Sequence, residues 1–256
     1  MTRFLYVILM NLYRGPFMIP LMRHLAAHPE KYTEEQRYEL ARHAIRIMER
    51  TGRVHTEAYG LENLPAEGGY IMYPNHEGRY DALGIMTTHD EPCSFVIDDK
   101  RSHGVLVREF TDLLQGKRIM KDNVRQAMAL FNQMTAEITE GRRYVLFPEG
   151  GYTEDKKNDL REFKPGSFKL AQKTKAPIVP VALIDTYKVF DGSRRDNRGA
   201  VKTIVNYLEP IFYDEYKGMR TSEIAEMVQE RIAEAIEQYY PPQNEQCGAV
   251  FARAHS

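Results

Sequence analysis

Apolar residues along the chain follow two rhythms that alternate: faces repeating every three to four residues, and short unbroken runs. From Thr33 the positions Leu40, Ala41, Ala44, Ile45 and Met48 share one helical face, and Thr33 with Gln36 three residues later has the form of a capping box. A helix is predicted over residues 33–50, ended by Gly52. A second is predicted from Asn123, again with a glutamine three residues on, to Gly141; it would bury Val124, Ala127, Met128, Phe131, Met134 and Ile138. A third covers residues 222–239, with Ile224, Val228, Ile232 and Ile236 inward and a glutamate-rich outer face. Between these lie β-type runs at residues 70–73, 94–97, 144–147, 178–184 and 201–208. The alternation predicts an α/β fold with a largely parallel central sheet flanked by helices, whose functional groups gather at the carboxyl ends of strands.

Residues 1–29 break this rhythm. They contain no acid, carry Arg3, Arg14 and Arg23, and hold apolar runs at 4–10 and 17–22. Arg14, Gly15, Pro16 and Pro20 interrupt the pattern, so the run of about 20 apolar residues needed to cross a bilayer is absent and no transmembrane helix is expected. Basic and apolar groups interleaved in this way suit an interfacial helix, its hydrocarbon partly buried and its arginines near anionic headgroups. A membrane surface is therefore the partner expected for residues 1–29, the alternative being an N-terminal helix packed on its own domain. The predicted organisation is a helical membrane-associating segment (1–52), an α/β domain (53–240) and a poorly ordered tail (241–256).

Charge refines the picture by exclusion. With 35 basic against 36 acidic residues, a nucleic acid is not the expected partner. Cys93 and Cys247 show no metal-ligand spacing and suit a reducing compartment, which with the N-terminal segment predicts a peripheral protein on the cytoplasmic face of the cell membrane. The histidines other than His76 show no pairing suggestive of a metal site and are expected on the surface or satisfied in the core.

The candidate chemistry begins at Tyr73-Pro-Asn-His-Glu-Gly-Arg-Tyr-Asp81, between a short strand and a helical pattern. At such a turn His76 leaving the strand and Asp81 entering the helix can fold towards each other, whereas on one continuous helix they would diverge. An aspartate on one ring nitrogen fixes the tautomer and stabilises the imidazolium, leaving the other nitrogen to take a proton from a hydroxyl. Such a base contributes roughly 10²- to 10⁴-fold. A second stretch, Tyr144-Val-Leu-Phe-Pro-Glu-Gly-Gly-Tyr152, ends a buried strand in Glu149, Gly150 and Gly151. The glycines admit a ligand close to the backbone, and the glutamate can accept a hydrogen bond from a hydroxyl. The third, Phe163 to Ala171, places Lys164 just before a helix whose free N–H groups favour anions. Each alone also fits a plain structural role: a turn with an exposed acid, a solvated lysine.

In order along the chain, these blocks resemble the 1-acyl-sn-glycerol-3-phosphate acyltransferase family of the glycerolipid acyltransferase superfamily. Asn75-His76 with Asp81 matches the family's NHxxxxD block, Phe147 to Gly150 its FPEG block, Phe163-Lys164 with Gly166 its FKxG block, and Ala176 to Val181 its late proline strand. The resemblance implies His76 as general base with Asp81 as its partner. It puts Asn75, Glu149, Gly150, Gly151 and Lys164 at the substrate, and needs no cofactor or metal. The implied donor is an acyl thioester of coenzyme A or acyl-carrier protein. The implied acceptor is a lysophospholipid, 1-acylglycerol 3-phosphate, which becomes phosphatidate. Two departures stand out: Gly151-Tyr152-Thr153 replaces the family's usual Thr-Arg-Ser, and the stretch from Gly116 to Asp122 lacks the customary phosphate-binding arginine. Lys121, one position before that arginine's place, is the expected substitute as a point charge. These departures leave another lysolipid, glycerol 3-phosphate or an aminoacyl lipid open as acceptors. Outside the class stand a thioester hydrolase in which His76 activates water, and a non-catalytic lipid-binding protein.

Overall fold

A four-residue run with no charged side chain, such as Ile71 to Pro74, satisfies both its faces best in the interior of a sheet. A computed structural model, which describes residues 2–104, 106–120, 122–152, 158–190 and 199–240, places it there. The strands in chain order are β1 (Val54–Tyr59), β2 (Ile71–Pro74), β3 (Cys93–Asp98), β4 (Lys117–Ile119), β5 (Arg143–Val145), β6 (Ile178–Ile184) and β7 (Val201–Tyr207). They form one seven-stranded sheet in the order β1-β7-β6-β2-β5-β3-β4, parallel throughout except between β6 and β7. The predicted largely parallel sheet is thus present, with β1 and β4 added to the five expected strands.

The helices are α1 (Arg3–Asn11), α2 (Gly15–Ala27), α3 (Glu34–Gly52), α4 (Asp81–Thr88), α5 (Val107–Leu113), α6 (Val124–Thr139), α7 (Lys169–Thr174), α8 (Tyr213–Tyr216) and α9 (Thr221–Tyr239). Alternation along β2 divides the core. Ile71 and Tyr73 join Met134 and Ile138 of α6 and the α9 stripe Ile224, Val228, Ile232 and Ile236. Met72 joins Tyr38, Ala41 and Ile45 of α3, Ile85 of α4 and Phe110 of α5. The helices of residues 1–52 therefore share a core with the α/β sheet; residues 241–256 lie outside the described residues.

The Thr33–Gln36 capping box forms as the sequence suggests, but the helix carries on through Gly52 and the left-handed cap falls on Arg53 at φ 53°. Asn123 caps α6, its side chain accepting from the Gln126 amide. That helix departs from expectation along its first two turns. Val124 is 73% exposed and Met128 63% exposed, because the core meets α6 further along, at Leu130, Phe131, Met134 and Ile138.

The N-terminal segment corrects a further expectation. Its two apolar runs become α1 and α2, joined by a 3₁₀ turn at Leu12–Arg14, so the 25 residues Arg3–Ala27 are long and apolar enough to cross a bilayer. Pro16 starts α2 instead of ending the pattern, since a missing N–H costs nothing in a first helical turn. The stretch is also tied to the domain: Arg3 donates to the Gly199 carbonyl at 2.6 Å, Arg23 pairs with Glu109 at 2.6 Å, and Val7, Met22 and Leu25 are buried. Leu9, Met10, Leu12, Tyr13, Phe17 and Leu21 remain exposed on the outside.

Candidate active site

Because β6, β2 and β5 are adjacent and parallel, the turns leaving their carboxyl ends are neighbours although they are far apart in sequence. The turn after β2 opens with Asn75. Its side-chain amide donates to the Leu183 carbonyl at 2.9 Å and its carbonyl accepts from the Leu183 amide at 2.7 Å. Bonded to β6 at both ends of its side chain, Asn75 holds the turn in place.

His76 follows. Its backbone N–H donates to Glu149 Oε1 at 2.9 Å, which ties the β2 turn to the β5 turn. Its ring lies against Phe147, centroids 4.2 Å apart, and meets Tyr152 edge-on at 4.8 Å. Nδ1 sits 2.7 Å from Asp81 Oδ2 and carries the proton of that bond; Nε2 has no hydrogen-bond partner among the described residues, and the side chain is 16% exposed. Asp81 is fully buried at the first position of α4. Its Oδ2 also accepts from the Glu77 and Gly78 amides at 2.6 and 2.9 Å, and its Oδ1 from Thr186 Oγ1 at 2.7 Å. Four donors and a helix N-terminus offset the desolvation of that carboxylate.

Glu149 is buried, and its Oε2 has no partner among the described residues. Burial pushes its carboxyl up to about 7, the His76 amide pulling it back and the Asp81 charge adding to the rise. Gly150 has φ +71°, a conformation that favours glycine, and the Lys164 side chain crosses the turn where a Cβ would stand 2.7 Å from its Nζ. The Lys164 amide donates to the Pro148 carbonyl at 3.0 Å, so the Phe163-Lys164 turn is fastened to the Glu149 turn while the lysine remains exposed. The Gly151 carbonyl accepts from Arg161 at 3.2 Å. The structure thus brings together His76, Asp81, Glu149, Gly150, Gly151 and Lys164, while Lys121 lies outside the described residues.

Two further residues of the cluster, Glu77 and Thr186, had no signal of their own in the sequence. Thr186 leaves β6 and Glu77 sits inside the His76 turn, 2.7 Å apart and both buried. Tyr152, which stands in place of a family arginine, gathers two arginines: Arg79 donates to its hydroxyl at 3.3 Å and the Arg101 guanidinium lies 5.3 Å from its ring centre. Strand order was the missing clue, since Thr186 meets Glu77 only because β6 lies beside β2. Among the described residues no group of three or more His, Cys, Asp or Glu side chains could hold a metal ion.

A buried aspartate on Nδ1, an unpaired Nε2 and a largely parallel sheet beneath them define an α/β protein with a histidine–aspartate pair at the carboxyl ends of its strands. The chain belongs to the Acyltransferase family, whose model matches residues 55–184, from β1 to the end of β6 and just over half of the chain. It is 33% identical over 135 residues to a 1-acyl-sn-glycerol-3-phosphate acyltransferase of Borreliella burgdorferi, covering 51% of this chain and 52% of that protein. A Saccharomyces cerevisiae protein of the same description is 27% identical over 196 residues, or 73% of this chain and 62% of that one. The chain thus spans about half to three-fifths of these relatives' lengths. The crystal structure of a 1-acyl-sn-glycerophosphate acyltransferase from Thermotoga maritima superposes with a TM-score of 0.71 over 92% of this chain and 96% of that one; at 16% identity this is a likeness of fold.

Proposed function

We propose that the protein is an O-acyltransferase that moves a fatty acyl group from a thioester to the free hydroxyl of a lysophospholipid, 1-acylglycerol 3-phosphate foremost, giving phosphatidate. The observation that carries this is the 2.7 Å contact between His76 Nδ1 and Asp81 Oδ2 beside an unpaired Nε2. Nε2 takes the hydroxyl proton as the oxygen attacks the thioester carbonyl. Asp81 stabilises the imidazolium, and collapse of the tetrahedral intermediate expels the thiolate, to which His76 returns the proton. Glu149 Oε2, buried beside the base, is suited to orient the acceptor hydroxyl, and Lys164 over Gly150 to meet its phosphate. The donor is a thioester of coenzyme A or acyl-carrier protein, and no cofactor is required. The outward apolar face of residues 3–27 would rest on the cytoplasmic face of the membrane, delivering a lipid acceptor to the site.

The test is transfer from a radiolabelled long-chain acyl thioester in lipid vesicles, with 1-acylglycerol 3-phosphate, lysophosphatidylcholine and glycerol 3-phosphate offered as acceptors. Labelled phosphatidate from the first acceptor is the expected product. Product only from another acceptor would move the specificity, and free fatty acid alone would make the protein a hydrolase.

A further inference from the structure

We infer that Glu77 and Thr186 form a buried positioning relay behind the His76–Asp81 pair, in which a neutral Glu77 donates its proton to Thr186 Oγ1 and Thr186 donates its own to Asp81 Oδ1. Thr186 Oγ1 lies 2.7 Å from Glu77 Oε2 and 2.7 Å from Asp81 Oδ1. A threonine hydroxyl has one proton to give. With both carboxylates ionised, one of these contacts would set lone pair against lone pair among side chains that are 0–4% exposed. One added proton, on one of the acids, removes the conflict.

The neighbours say which acid carries it. Asp81 receives Nδ1 of His76 and the amides of Glu77 and Gly78 besides Thr186, a donor set made for a charge. Glu77 receives, besides the Thr186 hydroxyl, the long 3.3 Å contact from the Tyr187 amide and a weaker pull from the Thr186 backbone amide, and its Oε1 has no partner among the described residues. An ionised carboxylate with one oxygen dry and unpaired is the costlier arrangement; a neutral acid leaves only a carbonyl there. Burial and the Asp81 charge independently push the Glu77 carboxyl well above the ordinary range. The order is then Glu77 to Thr186 to Asp81, with His76 Nδ1–H on the far oxygen.

Such a relay fixes the rotation of Asp81, so that Oδ2 stays aimed at His76 while Oδ1 is occupied. Other charged and titratable groups surround the unit. Glu149 stands on the His76 backbone and Tyr152 on its ring, with Arg79 on Tyr152 and Arg161 near Glu149. Asp185 and Lys188, paired at 2.6 Å, flank Thr186. Glu77 and Thr186 are positioning residues, since neither touches the reacting atoms in this arrangement.

The inference rests on His76 as the base, but its protonation claim does not, which separates the two in experiment. Infrared difference spectra of the full chain at pH 7.5, wild type minus Glu77→Gln, should contain the carbonyl stretch of a neutral carboxylic acid; its absence overturns the relay whatever the activity. In the transfer assay Thr186→Val should lower kcat by about tenfold or more, the worth of a lost hydrogen bond to a charged group, with both KM values little changed. With one donor fewer, Asp81 holds the imidazolium more tightly, so the acidic limb of the kcat/KM profile should move to higher pH. Thr186→Ser should restore most of the rate. Glu77→Gln, whose amide can still donate to Thr186, should keep most of it, while Glu77→Leu should behave like Thr186→Val. Wild-type kcat and pH profile in Thr186→Val, or a Glu77→Gln enzyme as slow as Glu77→Leu, would overturn the proposal. If Thr186→Val fails to fold, Thr186→Ser and the infrared band decide.

Discussion

His76 and His89 flank the same short helix, one in the turn before α4 and one just after it, and both give Nδ1 to an oxygen. At His89 the oxygen is the Glu91 carbonyl, 2.6 Å away, and Nε2 is closed by the Tyr70 hydroxyl at 2.6 Å. The ring is fully buried, and burial pulls its pKa down to about 4. Its place at a helix C-terminus favours a cation by ~0.3–1 kcal/mol, too little to offset burial. At His76 the oxygen belongs to a carboxylate and Nε2 has no partner among the described residues. Burial and an Nδ1 hydrogen bond therefore make a structural histidine, whereas a charged partner and an open nitrogen are what the base proposed at His76 requires.

The largest break in that comparison is Asp81→Asn, which gives His76 a neutral partner like that of His89. The expected loss in kcat is roughly 10²- to 10⁴-fold with KM little moved, read by steady-state kinetics. The middle effect lies in stability. His89 stays neutral in the fold down to about pH 4, whereas its ordinary value is 6.5. Over that window the unfolded chain binds more protons, so the contribution is complete above pH 6.5 and is lost as pH falls towards 4, about 2 kcal/mol of it by pH 5. His89→Gln should be less stable than wild type at pH 7 but lose less between pH 7 and pH 5 in urea titrations, with near wild-type turnover per folded molecule. The smallest effect is Lys164→Ala: an exposed cation facing a phosphate is worth about 1 kcal/mol, so the acceptor KM should rise roughly three- to tenfold while the donor KM holds.

What the sequence revealed follows from what is local. His76 and Asp81 belong to one turn, and the apolar runs of β2, β3, β5, β6 and β7 announce buried strands. Val-His-Thr-Glu-Ala-Tyr of β1 and Lys-Arg-Ile of β4 do not, because edge strands are half exposed and need no apolar run. Periodicity marked a face on α6 but not whether anything packs on it, and Val124 and Met128 meet solvent. The tie between Asn75 and Leu183 was not legible, since Leu183 reaches Asn75 only through the pairing of β2 with β6. Thr186 was hidden for the same reason.

The most direct test of His76 as the base is the rate of acyl transfer to 1-acylglycerol 3-phosphate by His76→Ala, set beside wild type and His89→Gln. His76→Ala should lose roughly 10²- to 10⁴-fold in kcat/KM while melting near the wild-type temperature, and His89→Gln should melt lower yet keep its rate. A His76→Ala protein that transfers acyl groups at the wild-type rate would contradict the central claim.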